Sequence, residues 1–96
     1  MDAAAPRSLA LSVAPNPART PRVSFTVSQR AMVKLAVFDL QGREVVTLAR
    51  GMFEPGAYSR DWNGTDRAGH RMGSGIYFYR LKVGDHILNA RGVIAN

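Results

Sequence analysis

Apolar and polar positions alternate along much of this 96-residue chain. Between Ile76 and Val83, Tyr77, Tyr79, Leu81 and Val83 fall on one side, against Phe78, Arg80 and Lys82 on the other. A period of two sends successive side chains to opposite faces, so this segment is predicted to be a strand with one buried face. The same pattern predicts strands at Leu9–Val13, Arg22–Ser28, Met32–Asp39, Arg43–Leu48, Ala57–Trp62 and His86–Ile94. Val23, Phe25 and Val27 turn inward in the second of these, and Val33, Leu35 and Val37 in the third. No segment repeats apolar residues at i, i+3, i+4 and i+7 for three turns, so helix is expected to be nearly absent.

Turn chemistry separates these segments. Asp39-Leu40-Gln41-Gly42 closes a hairpin in which the aspartate accepts turn amides and the glycine takes a left-handed conformation. Asn63-Gly64 and Ala68-Gly69 reverse the chain twice within about ten residues, and Gly84-Asp85 turns it into the last strand. Pro55-Gly56 is the pair expected at the centre of a type II turn. Pro15-Asn16-Pro17 loses two backbone donors and predicts an ordered crossover or strand end. The expected class is all-β, a seven-stranded antiparallel immunoglobulin-like β-sandwich, with a small closed barrel as the competing arrangement. Residues 1–8 read as a linker or appended tail and residues 9–96 as the sandwich.

Composition adds bounds. Apolar residues at 46% suffice for one core, and no apolar run nears the roughly 18 residues of a membrane span. The absence of cysteine excludes disulfides and thiolate metal sites. The charge of +6 comes from single basic residues spread along the chain, which reads as solvated surface charge, with an anionic partner such as lipopolysaccharide or a membrane surface as the alternative.

Candidate chemistry is sparse. Asp61, Asn63, Thr65 and Asp66 follow the start of a calcium loop, but the glycine and glutamate that such a loop needs are replaced by Asp66 and Met72. These side chains are expected to cap turns instead. His70 and His86 lack ligand partners at suitable spacing, no serine lies in a nucleophile elbow, and no glycine run is followed by a phosphate-binding lysine. No catalytic, cofactor-binding or metal-binding residue is therefore assigned. Tyr58, Trp62, Tyr77 and Tyr79 are expected to share a core, leaving Phe38, Phe53 and Phe78 as the exposed aromatics. Arg60, on the same strand face as Trp62, is expected to lay its stem on apolar surface with its guanidinium reaching water or stacking on a ring.

Pro15-Asn16-Pro17, VKLAVFDLQGREVVTL (Val33 to Leu48) and PGAYSRDWNGTDRAGHRMGSGIYFYRL (Pro55 to Leu81), in that order, resemble the type A C-terminal sorting domain of type IX secretion cargo. They are equally similar to the related immunoglobulin-like domain of the flagellar hook-capping protein. The resemblance spans about Leu9 to Ile94. It implies a non-catalytic module, without cofactor, at the end of an exported protein and preceded by a cargo domain. Its implied partners are the outer-membrane type IX secretion machinery and a sortase-like peptidase that attaches cargo to lipopolysaccharide. The implied route runs from the periplasm of a Gram-negative-type bacterium to the cell surface or beyond.

The chain departs from the pattern in two places. At its end, Gly92 stands where a large apolar residue is usual after the basic Arg91, and Ala95-Asn96 lacks the common terminal basic residue; and Arg60, two residues before Trp62, stands where an aliphatic residue usually faces the core. The recognised surface is expected to be the last hairpin, whose edge can accept a partner strand or a second copy of the chain. Gly75, Tyr77, Arg80, Arg91 and Val93 are its candidate recognition residues. A structural accessory domain of a surface protein and a carbohydrate-binding module are the rival readings.

Overall fold

The computed structural model describes residues 9–96; the linker expected at residues 1–8 lies outside the described residues. Seven strands run in chain order: β1 (Ala10–Ala14), β2 (Arg22–Val27), β3 (Ala31–Phe38), β4 (Glu44–Phe53), β5 (Gly56–Asp61), β6 (Gly75–Val83) and β7 (His86–Ile94). They form two antiparallel sheets, β1-β2-β5 and β4-β3-β6-β7. The two sheets remain separate, so the sandwich replaces the closed barrel as the architecture.

Between the sheets lie Val23, Phe25 and Val27 from β2 against Val33, Leu35, Val37, Tyr77, Tyr79, Leu81 and Val83 from β3 and β6. Trp62 leaves the end of β5 and closes this core at 1% exposure. Its ring packs edge-on against Tyr77 at 5.2 Å and Tyr79 at 6.1 Å. The indole N–H donates to the Thr65 carbonyl at 2.8 Å. The single polar atom of a large buried ring is thus satisfied, which lets Trp62 sit deep without a desolvation penalty.

Four local expectations change. β4 continues past Leu48 to Phe53, through a register irregularity opposite Leu35–Ala36. Pro55-Gly56 is a crossover between the sheets, because β4 and β5 belong to different ones. Gly56, at φ +159°, is nearly extended as the first residue of β5, where a type II turn would need a left-handed residue. The extra length of β4 also carries Phe53 inward. There it meets Tyr58 at 4.8 Å and Phe25 at 5.8 Å, forming an aromatic group separate from that of Trp62. Phe53 is therefore packed rather than exposed, and Tyr58 joins it instead of Trp62. The Arg60 guanidinium lies over the Phe53 ring at 5.7 Å, the stacking expected of it.

Candidate functional site

Two turns at one end of the sandwich share a design that the sequence carries twice, as Asp39-Leu40-Gln41-Gly42-Arg43 and Asp66-Arg67-Ala68-Gly69-His70. In the first, Asp39 Oδ1 accepts the Gln41 and Arg43 amides, both at 2.9 Å. In the second, Asp66 Oδ1 accepts the Ala68 and His70 amides at the same distance. Gly42 and Gly69 occupy the left-handed region at φ +81° and +88°, and each donates its amide to the aspartate carbonyl. The Arg43 amide above all holds the Asp39 carboxyl below its ordinary range, and the His70 amide does the same for Asp66. The other members of the calcium-like stretch are also occupied by the chain itself. Asp61 pairs with Arg22 at 3.0 Å, and Asn63 accepts the Thr65 amide and hydroxyl. Asn63 and Asp66 thus cap turns, as expected, whereas Asp61 ends β5 in a cross-strand ion pair instead. The repeated D-x-x-G-x spacing was the signal that could have revealed the common geometry of the Asp39 and Asp66 turns.

Arg71, unremarked in the sequence, ties the same end together. Its guanidinium donates to the carbonyls of Asn63 and Arg19 and to the Asn96 side chain. Asn96 in turn donates from Nδ2 to the Met72 carbonyl at 3.1 Å and from its amide to Ser74 Oγ at 3.2 Å.

The last hairpin, β6–β7, holds all five candidate recognition residues, but it divides them. Tyr77 is buried at 7% exposure, braced by Trp62, and its hydroxyl donates to the Gly73 carbonyl at 2.7 Å. Burial raises its pKa, with the Asp39 charge adding to the effect. Tyr77 can shape the hairpin but offers no surface to a partner. Gly75 opens β6 opposite Ile94. Arg80, Arg91 and Val93 share the outward face: Arg80 caps the Phe38 ring at 5.0 Å, Arg91 lies opposite Phe78, and Val93 lies opposite Ile76.

The edge of β7 is not bare at its end. Val93 donates its amide to Asn16 Oδ1 at 2.8 Å and accepts the Ala18 amide at 3.1 Å, and Ala95 donates to the Ala18 carbonyl. A short parallel bridge joins Ala18 to Ile94. The prolines beside Asn16 cannot donate, and the Asn16 side chain provides the acceptor that a strand would have offered. This leaves little room at Gly92. A Cβ there would lie 3.4 Å from Val13 Cγ1, 3.6 Å from the Tyr79 ring and 3.7 Å from Asn16 Oδ1, ordinary contacts that admit an alanine. A larger side chain would have to displace Val13, Tyr79 or the Asn16 latch over Val93. The expected open edge is therefore covered near Val93, because Pro15-Asn16-Pro17 folds onto it.

Beyond the hairpin, the outer face of the four-stranded sheet is large, cationic and partly apolar. Arg50, Lys34 and Lys82 stand directly opposite one another across β4, β3 and β6. Lys34 reaches Glu44 at 2.9 Å, a bond that holds the Glu44 carboxyl below its ordinary range, with Thr47 assisting. Phe38 and Phe78 are half-buried on this face, opposite each other. The outer face of the other sheet carries Ser12, Ser24, Thr26, Ala57 and Ser59, with Arg22 and Asp61 opposite each other and paired.

Comparison with known proteins places this arrangement. A family model described as the FlgD Ig-like domain matches residues 17–85, most of the chain. No curated protein sequence matches it. Among solved structures, latent dimeric PorU from Porphyromonas gingivalis superposes at a TM-score of 0.71 with 18% identity, over 99% of this chain and 10% of that one. PorZ from Porphyromonas gingivalis, described as an essential bacterial surface component of the type-IX secretion system, gives 0.62 with 18% identity, over 90% of this chain and 11% of that one. FlgD from P. aeruginosa gives 0.61 with 22% identity, over 86% of this chain and 70% of that one. The chain thus spans about a tenth of the length of PorU and PorZ, and at these identities the likeness is one of fold.

Proposed function

From a chain that belongs to the FlgD Ig-like domain family, we propose a non-catalytic recognition module of the C-terminal sorting kind, which directs an exported protein through type IX secretion to the cell surface. The observation that carries this reading is the division within the last hairpin. Tyr77 and Tyr79 anchor β6 in the core, while Arg80, Arg91 and Val93 stand outward on adjacent strands. A rigid hairpin with a fixed outward pattern suits a signal that other proteins read without chemistry. The partners are the outer-membrane secretion machinery and a sortase-like peptidase, and the cargo lies before this module in the parent protein. The likeness of fold to part of PorZ supports the same reading.

Replacing Arg80 and Arg91 by glutamate in the parent protein tests it. Both side chains are exposed, so the fold should survive, and the cargo should accumulate in the periplasm. Undiminished secretion of the double variant would sink the proposal. Deleting Arg91 to Asn96 is a weaker test, because it also removes the bonds of Val93 and Asn96 that hold the fold.

The family match favours one alternative, a structural accessory domain of the hook-capping kind. Fusing this chain behind a reporter in a type IX host separates the two, since only a sorting module carries the reporter to the surface.

A further inference from the structure

The cationic row across the four-stranded sheet is hard to explain by stability. Like charges directly opposite one another on neighbouring strands are destabilising, yet Arg50, Lys34 and Lys82 occupy consecutive partner positions. Lys34 is drawn away toward Glu44. Arg50 and Lys82 have no ion-pair partner among the described residues. They flank a shallow groove over Met32, Lys34 and Gly84, about 10 Å wide by the spacing of two strand intervals.

Apolar tips adjoin these charges. Met32 and Met52 are paired across β3 and β4 one row further out, exposed by 57% and 52%, and Ile87 beside Lys82 is exposed by 55%. With Arg80 and Arg91, the outward strand positions of this face carry five cations against the single acid Glu44 among the described residues. Among the same residues, the outward strand positions of the opposite sheet hold one cation, Arg22, paired with Asp61.

We propose that the Arg50–Lys34–Lys82 row and the adjoining Met32, Met52 and Ile87 form a docking surface for an anionic phospholipid membrane. Phosphate headgroups would sit between Arg50 and Lys82, while the flexible methionine and isoleucine tips enter the headgroup–acyl boundary. Charge complementarity selects an anionic occupant, and the apolar tips at the same rim select a lipid surface over a soluble polyanion. A single-stranded nucleic acid would be held by open rings on which its bases stack, and a duplex by its phosphates alone, without use for the apolar tips. Phe38 and Phe78 are instead half-buried, and Phe38 is capped by Arg80. This inference does not depend on the secretion reading.

Sedimentation of the 96-residue chain with vesicles tests it. Vesicles of phosphatidylcholine with about one-third phosphatidylglycerol should bind the chain at low salt, and pure phosphatidylcholine should not. Arg50→Glu with Lys82→Glu should weaken binding at least ~10-fold, given the contribution expected of each basic residue near an anionic surface. Met32→Ser with Met52→Ser should weaken it several-fold, whereas Ser24→Glu on the opposite face should leave it nearly unchanged. Thermal melts confirm folding, and Arg50→Ala with Lys82→Ala serves if the reversal variant does not fold. No binding to the anionic vesicles would overturn the proposal, as would charge variants that bind them as tightly as the unaltered chain does. Full competition by millimolar inorganic phosphate with no effect of the methionine variants would also overturn it, revealing a simple anion site. Tighter binding to polyglutamate or to duplex DNA than to the vesicles would do the same.

Discussion

The two outward faces of this sandwich obey different rules although they share one interior. On the three-stranded sheet, Arg22 stands opposite Asp61, Ser24 opposite Ser59 and Thr26 opposite Ala57: small or oppositely charged partners, as cross-strand energetics favours. On the four-stranded sheet, Arg50, Lys34 and Lys82 stand opposite one another, and methionines pair in the open. The inner face of each sheet is constrained by the other sheet. The outer faces are constrained only by water and by whatever binds there. The small face shows what solubility and pairing alone select, and the departure of the large face from it points to a second demand.

The shared interior offers the strongest way to break this comparison. Trp62 leaves a strand of the small-faced sheet and packs on Tyr77 and Tyr79 of the other. Trp62→Ala should destabilise by ~3–5 kcal/mol and abolish both faces together, read by urea denaturation. A transition with one sheet intact would show that the faces are independent. At the join of β1 and β7, Gly92→Leu should cost ~1–3 kcal/mol by displacing Val13, Tyr79 or Asn16. Gly92→Ala should cost less, and equal midpoints for the two variants would mean that the latch is slack.

Tyr79 sharpens the comparison through pH. Burial pushes its pKa up to about 12, from 10.0, and its hydroxyl has no hydrogen-bond partner among the described residues. The folded state therefore holds this proton more tightly than the unfolded one. Stability is complete below pH 10 and falls as pH rises from there toward 12, by on the order of 2 kcal/mol. Tyr79→Phe should remove that decline and be neutral or stabilising near pH 7, as chemical denaturation at pH 7 and 11 will show. The smallest effect separates the faces directly. Arg80→Ala should cost ~0.5–1 kcal/mol through loss of its contact with Phe38. Ser24→Ala on the small face should stay within ~0.5 kcal/mol. A larger loss at Ser24 would reverse the contrast.

Much of this was legible in the chain. The alternation of Ile76–Val83, the Asp39–Gly42 turn and the depth of Trp62 follow from period and turn chemistry, which are local. Arg60 was readable too, because a long cation at a core-facing position has few places to go. Phe53 was not, since its direction depended on β4 running five residues past Leu48, through Gly51, into a segment that reads as a loop before Pro55-Gly56. The candidate site was half legible. Alternation put Arg80 outward and Tyr77 inward, but the cover over Val93 came from Asn16, seventy-seven residues away.

The existence of the seven strands, most inward faces and the Asp39 and Asp66 turns followed from the sequence alone, because each depends on neighbours within a few residues, whereas the Pro55-Gly56 crossover and the direction of Phe53 did not. Which strands pair, and so which charges meet, was decided by tertiary structure. Arg50, Lys34 and Lys82 look scattered in a linear reading, and they become a row only when β4, β3 and β6 are laid side by side in register. Charge acts through space over several ångströms, whereas residue order measures distance along the chain, and a folded sheet makes those two distances unrelated.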